Sequence, residues 1–486
     1  MDSMVQILAT HAKSQPEKLF IADYKGNKCT YLEAWRIVRK AAYYLKVCEN
    51  ITTGDKIMAE CDQDIWFLLL DFACELIGAV FVPVEMNASI DRVKDIFDES
   101  DAKLIISHQL KFGFAGNVLL EQVFSGKSLL DNYAFPKGDS VAEILYTTGT
   151  TGKSKGIVIT NEADVAVAEN IKYGVEMKPG NIEFIPIPIS HSHGLRCCYA
   201  NLLNGGTIVL ADGLMNIKKV FQMLDSYAVT SMDISPSAAQ LLIKISKGAF
   251  WKYGSKMDYI QIGTAVLPDK LKIQLVRELP GVRLYDFYGS TESGRSCVLD
   301  FSREQDRDNC IGKPTKNAEI IFTNDERKKI NATKEFPGLL ASRGRMNMIC
   351  YWKNPELTRE ILHDNFVFTN DLGYMDNEGY VYVIGRKDDV INYNGIKIAP
   401  EEIEQIAIRF PGIKDAACIP YPDDMAGQVP RLFVSVEASK FNYKSYMDFL
   451  QAHLDGNKLP KRVDVIETIP RTGNGKIIRG KLMKNI

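Results

Sequence analysis

The chain has 486 residues, 46% hydrophobic and 25% charged, with a formal net charge of −2. That length exceeds one ordinary core and calls for at least two domains, and the composition excludes a disordered or fibrous chain. The near-neutral balance excludes a bulk electrostatic pull toward nucleic acid or an anionic membrane. Ten cysteines without paired spacing fit free thiols in a reducing cytoplasm. The opening Met1-Asp-Ser-Met-Val-Gln6 lacks the basic-then-apolar order of a signal peptide, so a cytoplasmic protein is expected.

In chain order, Thr30-Tyr-Leu-Glu33 forms a capping box, and Leu32, Trp35, Val38, Ala42 and Leu45 follow at helical spacing. The most apolar run, Ile65 to Val84, contains Asp71, Glu75 and Pro83, so it reads as a buried helix passing into a strand and not as a membrane span. Strands are expected at 104–107, 143–146, 156–160, 207–210 and 231–234, with a helix over 217–226. Strands separated by helices of this length imply parallel sheets wrapped by helices.

Between two of these strands lies Tyr146-Thr-Thr-Gly-Thr-Thr-Gly-Lys-Ser-Lys-Gly156, with four threonines, three glycines and two lysines in eleven residues. Threonine hydroxyls and glycine-exposed N–H groups donate to phosphate, and lysines add charge. A P-loop needs four residues between its glycine and Gly-Lys-Ser and a helix after it; Gly149 and Gly152 enclose two, and a strand follows. Read alone, the stretch suits a surface hairpin as well as a polyphosphate cradle.

His191-Ser-His193 followed by Cys197-Cys198 does not match common zinc spacings. Near residue 384 the character changes. A strand over 380–384 gives way to the charged link Gly385-Arg-Lys-Asp-Asp389, then a compact α+β unit of roughly 100 residues. The expected division is 1–384 for the large domain, 385–389 for the link and 390–486 for the small domain.

Five stretches in this order carry a family resemblance: the loop at 146–156, Tyr285-Asp-Phe-Tyr-Gly-Ser-Thr-Glu292, Thr369-Asn-Asp371, Gly385-Arg-Lys-Asp-Asp-Val-Ile-Asn-Tyr-Asn-Gly395 and Pro470-Arg-Thr-Gly-Asn-Gly-Lys476. Together, over roughly residues 15–480, they resemble the core motifs of the adenylate-forming superfamily of acyl-CoA synthetases, peptide-synthetase adenylation domains and firefly luciferase. The resemblance implies an α/β fold with a large domain of helix-wrapped sheets and a small, mobile C-terminal domain. It also implies a reaction: a carboxylate attacks the α-phosphate of ATP, and a thiol then displaces AMP. Two anions must meet in the first step, so the site needs Mg²⁺ and fixed donors.

By the same resemblance, Thr147, Thr148, Gly149, Thr150, Thr151, Gly152 and Lys155 cradle the phosphates, Thr291 meets the α-phosphate and Glu292 holds Mg²⁺. Tyr288 and Phe287 with the backbone of Gly263, Thr264 and Ala265 wall the adenine, and Asp286 accepts from its amino group. Asp371 and Arg386 bind ribose, although Asn370 stands where the family has glycine. His191 and Gly289 face the acid, Asn394 and Gly395 line the pantetheine path, Asp388 is the hinge and Lys476 stabilises the adenylation transition state. Taken singly, Thr291-Glu292 also reads as a helix entry, Tyr288 as core and Lys476 as a solvated lysine.

The expected activity is that of an acid–thiol ligase with ATP, Mg²⁺ and coenzyme A, acting on a small-molecule carboxylic acid. Two alternatives are a stand-alone enzyme loading the phosphopantetheine arm of a carrier protein, and a degenerate nucleotide-binding protein without turnover. No aspartate lies in 187–194, which disfavours an α-amino acid. Arg196 or Arg295 is a candidate partner for a second carboxylate, but both are expected at the surface, and a monoacid is favoured.

Overall fold

The computed structural model describes all residues except 111–112, 114–115, 149–153, 306, 308, 394–395, 424, 440, 473–474 and 484–486. Among the described residues, two large sheets and one small sheet organise the chain. In the seven-stranded sheet, Val80–Glu85, Lys56–Cys61, Ala102–Ser107 and Asn117–Leu119 pair in parallel, and Val141–Thr148, Ser154–Thr160 and Cys350–Tyr351 close one end with antiparallel pairs. The fourteen-stranded sheet has a parallel run, Leu19–Asp23, Thr207–Leu210, Ile182–Ile185, Ser231–Ile234, Tyr259–Gly263 and Arg283–Ser290. It continues as an antiparallel meander from Gly294–Asp300 through Cys310–Pro314, Val381–Arg386 and Phe366–Met375.

Helices Met4–Ser14, Tyr31–Tyr43, Ile65–Ile77, Leu120–Ser125, Asn161–Gly174 and Ser192–Asn204 share a core with both sheets. Helix Ile65–Ile77 is apolar almost all round and therefore buried almost all round. Asp64 caps it by accepting from the Trp66 and Phe67 N–H groups, and Gly78 ends it at φ 74°, a conformation glycine adopts without a Cβ clash. No helix among the described residues is long and apolar enough to cross a membrane. The capping box at Thr30 and Glu33 forms as the sequence predicts.

The third sheet belongs to a small C-terminal domain, with Ile391–Tyr393, Ile396–Ile398, Gly427–Val436, Ile413–Asp423 and Arg462–Val465 packed under helices Pro400–Ala407 and Tyr443–His453. Strand Val381–Arg386 runs two residues past the expected domain edge, because Arg386 and Gly385 pair with Asp371 and Leu372. The connector is therefore a tight turn after Arg386, whose carbonyl accepts from the Asp389 and Val390 N–H groups at 2.9 and 2.8 Å.

Candidate active site

Among the described candidates, Thr147, Thr264 and Tyr288 lie at or just past the carboxyl ends of parallel strands, where open α/β sheets place their ligands. Strand Arg283–Ser290 turns at Thr291-Glu292-Ser293 into Gly294–Asp300, so the Thr-Glu pair sits on a hairpin tip and not at a helix entry. Gly289 is required there: a Cβ would lie 2.0 Å from the Gly294 carbonyl oxygen.

Side chains alternate along this strand. Tyr288 donates its hydroxyl to Asp371, whose other oxygen is 3.5 Å from Arg386 Nε. Thr369 Oγ1 accepts from the Asp371 N–H at 3.2 Å and anchors the segment to the Leu340 carbonyl. Asn370 precedes that carboxylate, and its amide donates to Asp388 Oδ2 at 3.2 Å. Asp286 shares the Tyr288 face and is paired with Lys272. Phe287 points the opposite way, and its ring occupies the space over Gly263, where a Cβ would meet it at 2.3 Å. Thr264 holds φ 76°, an uncommon conformation for a β-branched residue, at the wall predicted for adenine.

At the other end of the hairpin, Glu292 is held twice. Its carbonyl accepts from the Met348 N–H at 2.8 Å, and Tyr351 donates its hydroxyl to Oε1 at 2.8 Å. Burial, with Glu292 beside it, pushes the Tyr351 phenol well above its ordinary value, so it stays a donor. Lys155 Nζ lies 5.9 Å from the Tyr351 ring centroid, within cation–π range. Thr147 and Thr148 pair with Lys155 and Ser154, so two strand ends bracket residues 149–153. Gly149, Thr150, Thr151 and Gly152 lie outside the described residues, as do Asn394 and Gly395. Tyr351 was missed from sequence; its signal is spatial, because Cys350–Tyr351 joins the strand that follows the loop.

His191 caps helix Ser192–Asn204, with Nε2 3.3 Å from Glu85. Burial lowers its pKa while Glu85 opposes that, so the ring is neutral near pH 7. His193 bonds Asp233 at 2.8 Å, and Cys197 contacts the same carboxylate. Strand Ser231–Ile234 thus supplies an aspartate that the 187–194 segment lacks. His193 and Cys197 share the Asp233 carboxylate, and Arg295 lies 3.7 Å from the Cys197 sulfur, so a cation already stands beside this group.

Neither arginine is at the surface, contrary to the sequence expectation: Arg196 is 5% and Arg295 4% exposed. Arg196 is paired with Glu143 and, at 3.1 Å, with Asp164, and Asp71 and Glu75 lie close by. Charges are buried only when paired. Arg295 stacks on Phe287 with 3.5 Å to the ring centroid and donates to Gln261.

Lys476 is exposed, and its ammonium has no partner among the described residues. Its loop is tied by bonds between Thr472 and both Gly475 and Lys476. A Cβ on Gly475 would lie 3.3 Å from Ser237 Oγ, just beyond strand Ser231–Ile234, so the loop rests at the same carboxyl edge as the other candidates.

Residues 8–352 match the AMP-binding enzyme family and residues 402–476 match the AMP-binding enzyme C-terminal domain. A probable CoA ligase of Humulus lupulus is 27% identical over 96% of this chain and 89% of its own length. A 2-succinylbenzoate–CoA ligase of Oceanobacillus iheyensis is 26% identical over 98% of each. The structure of ATP-bound MatB from Rhodopseudomonas palustris shares the fold, with a TM-score of 0.88 and 22% identity over 99% of this chain and 98% of that one. With residues 8–352 matched by one family model and 402–476 by the other, the chain belongs to the AMP-binding enzyme family.

Proposed function

We propose that the protein is an AMP-forming acid–CoA ligase working in two steps at one site. A carboxylate oxygen bonds to the α-phosphorus of ATP as the bond to the β-phosphate oxygen breaks, giving acyl-AMP and pyrophosphate. The sulfur of coenzyme A, its thiol proton released to solvent, then bonds to the acyl carbon, and AMP leaves with the electron pair of the broken C–O bond. The observation that carries this reading is the hairpin itself. Tyr288, tied to Asp371 and Arg386, and Glu292, tied to Tyr351 beside Lys155, stand four residues apart, which suits a nucleoside at one end and its phosphates at the other.

Tyr288 and the 263–265 turn flank the base, and Asp371 matches the two ribose hydroxyls with its two oxygens. Thr291, Thr147 and Lys155 hold phosphate oxygens. The Glu292 carboxylate is a hard oxygen ligand of the kind Mg²⁺ takes, with Oε1 engaged by Tyr351 and Oε2 without a hydrogen bond among the described residues. Mg²⁺ bound there would neutralise charge between ATP phosphates. Lys476 stabilises charge that grows on the α-phosphate oxygens, which lowers a barrier because the ground state carries less of it. Rotation of the small domain about Asp388 then withdraws Lys476 and brings Asn394 and Gly395 in for the thiol.

For the acid, His191 offers a neutral polar face and Gly289 close backbone approach. Arg196 is matched by Glu143 and Asp164, and Arg295 is engaged by Phe287, Gln261 and Cys197, so a monocarboxylate is favoured over a dicarboxylate. The relatives' CoA-ligase names support coenzyme A as acceptor. Ten free cysteines support a reducing compartment, with the cytoplasm as our reading.

The test is ATP–pyrophosphate exchange over monocarboxylic, dicarboxylic and aromatic acids, followed by CoA or a phosphopantetheinylated carrier as acceptor. Exchange that requires a monoacid, with transfer to CoA, is expected. Exchange independent of any acid, or transfer to the carrier alone, contradicts the reading.

A further inference from the structure

Helix Asp269–Glu278 follows the 263–265 turn and carries Lys272 over strand Arg283–Ser290. Lys272 Nζ lies 3.1 Å from Asp286 Oδ2, and the two side chains are 13% and 12% exposed. Asp286 sits two residues before Tyr288 on the same strand face, so it borders the slot assigned to adenine. We propose that Lys272 is a positioning residue for nucleobase recognition, fixing Asp286 as an ionised, acceptor-only group that selects a base bearing an exocyclic amino group over one bearing a carbonyl. This rests on reading the Tyr288 slot as the adenine site.

The argument turns on what a carboxyl group offers. Ionised, it only accepts; protonated, it also donates, and its O–H pairs as readily with the carbonyl of hypoxanthine as its oxygens pair with the amino group of adenine. Burial drives Asp286 toward the neutral form, and the Lys272 charge and hydrogen bond oppose that drive. Among the groups facing the pair, Asp269 works against ionisation, and the Phe287 N–H favours it. From strand Cys310–Pro314, two strands along the same sheet, Cys310 stays a thiol, its pKa pushed up to about 11 by burial despite the nearby Lys272. Lys272 is therefore the one cation among these groups that holds the charge on Asp286. The pair also fixes geometry, since an ion pair clamped at Oδ2 sets the orientation of the carboxylate plane.

The test compares ATP with inosine triphosphate in adenylate formation across pH 6–9. For Lys272→Met, the preference for ATP over inosine triphosphate, read as the ratio of their KM values, is expected to shrink about tenfold at pH 7, with KM for ATP rising as the charged acceptor is lost and KM for inosine triphosphate falling as a donor appears. The ATP defect should deepen toward pH 6 and shrink toward pH 9, where Asp286 ionises unaided, and Lys272→Arg should restore the wild-type ratio. If Lys272→Met does not accumulate folded, Lys272→Gln is read the same way. Equal losses for both nucleotides without pH dependence overturn the proposal and leave Lys272 a packing residue. Asp286→Asn separates the two levels. If it leaves the ATP-to-inosine-triphosphate ratio unchanged, the adenine-slot reading itself fails. If it collapses the ratio while Lys272→Met does not, only the role of Lys272 fails.

Discussion

The hairpin side of the site and the lysine loop are built in opposite ways. Around the hairpin, four candidate groups have partners in the chain: Tyr288 and Arg386 with Asp371, Glu292 with Tyr351, and Asp286 with Lys272. Across from it, Lys476 has an exposed side chain whose ammonium is unpaired among the described residues, although its loop lies against Ser237. Partnered groups have given up their rotamer freedom before ligand arrives, so they suit binding. An unpaired ammonium on a glycine-flanked loop has made no such commitment and suits a group that must enter for one step and leave for the next.

The largest effect should separate the two halves by step. Lys476→Ala is expected to slow acyl-AMP formation by on the order of 10²–10³-fold, the cost of one preorganised electrostatic donor. Thioester formation from supplied acyl-AMP should hold near the wild-type rate, and the melting temperature should not move. Equal slowing of both steps, measured by single-turnover assays, breaks the comparison.

Next, Glu292→Gln keeps the size and removes the charge. We expect adenylation to fall about 10²-fold and the Mg²⁺ concentration needed for half-maximal rate to rise. An unchanged Mg²⁺ titration would remove Glu292 from the site. Tyr351→Phe deletes one hydrogen bond to that carboxylate, and about a fivefold rise in the Mg²⁺ requirement is expected, with little change in pyrophosphate exchange at saturating Mg²⁺. A loss that excess Mg²⁺ does not rescue would make Tyr351 structural.

The smallest effect concerns stability. Burial raises Glu75 to about 8, against the lowering hydrogen bonds from the Val5 and Met4 N–H groups, and raises Glu183 and Glu401 to about 7. The folded chain thus keeps protons that the unfolded chain releases above the ordinary carboxylate range. This contribution is complete below roughly pH 4 and is lost as pH rises through 7 to 8. Melting temperatures should fall by a few degrees between pH 5.5 and 8.5, and Glu75→Gln should flatten part of that slope. A melting temperature that rises across this window contradicts the assignment.

Much of the fold could be read from local signals. The Thr30 capping box, the apolar helix entered at Asp64 and the strands flanking the phosphate loop each depend on residues near one another in sequence. The motifs at 285–292 and 369–371 marked segments that the structure brings together at one hairpin. What stayed hidden is non-local. Arg196 and Arg295 read as surface residues because a lone arginine belongs in water, and only the fold reveals Glu143 and Asp164 around one and Phe287 and Gln261 around the other. Tyr351 carries no motif of its own, and its place beside Glu292 appears only when its short strand pairs with Ser154–Thr160. Lys272 has the spacing of a solvated helix face, yet it turns in to Asp286. The link at 385–389 looked uniform, but its first two residues complete a ladder begun by Asp371.

The central claim is that the nucleoside is held by preformed partners while the lysine acts only as charge develops. Equilibrium ATP binding by Lys476→Ala and Asp371→Ala, measured side by side without acid, tests it most directly. The account predicts a dissociation constant within about threefold of wild type for Lys476→Ala, since a transition-state contact contributes little to the ground state. For Asp371→Ala it predicts a weakening of about 10- to 100-fold, the scale of lost hydrogen bonds to a charged group. Comparable losses in both variants, or none for Asp371→Ala, would contradict it.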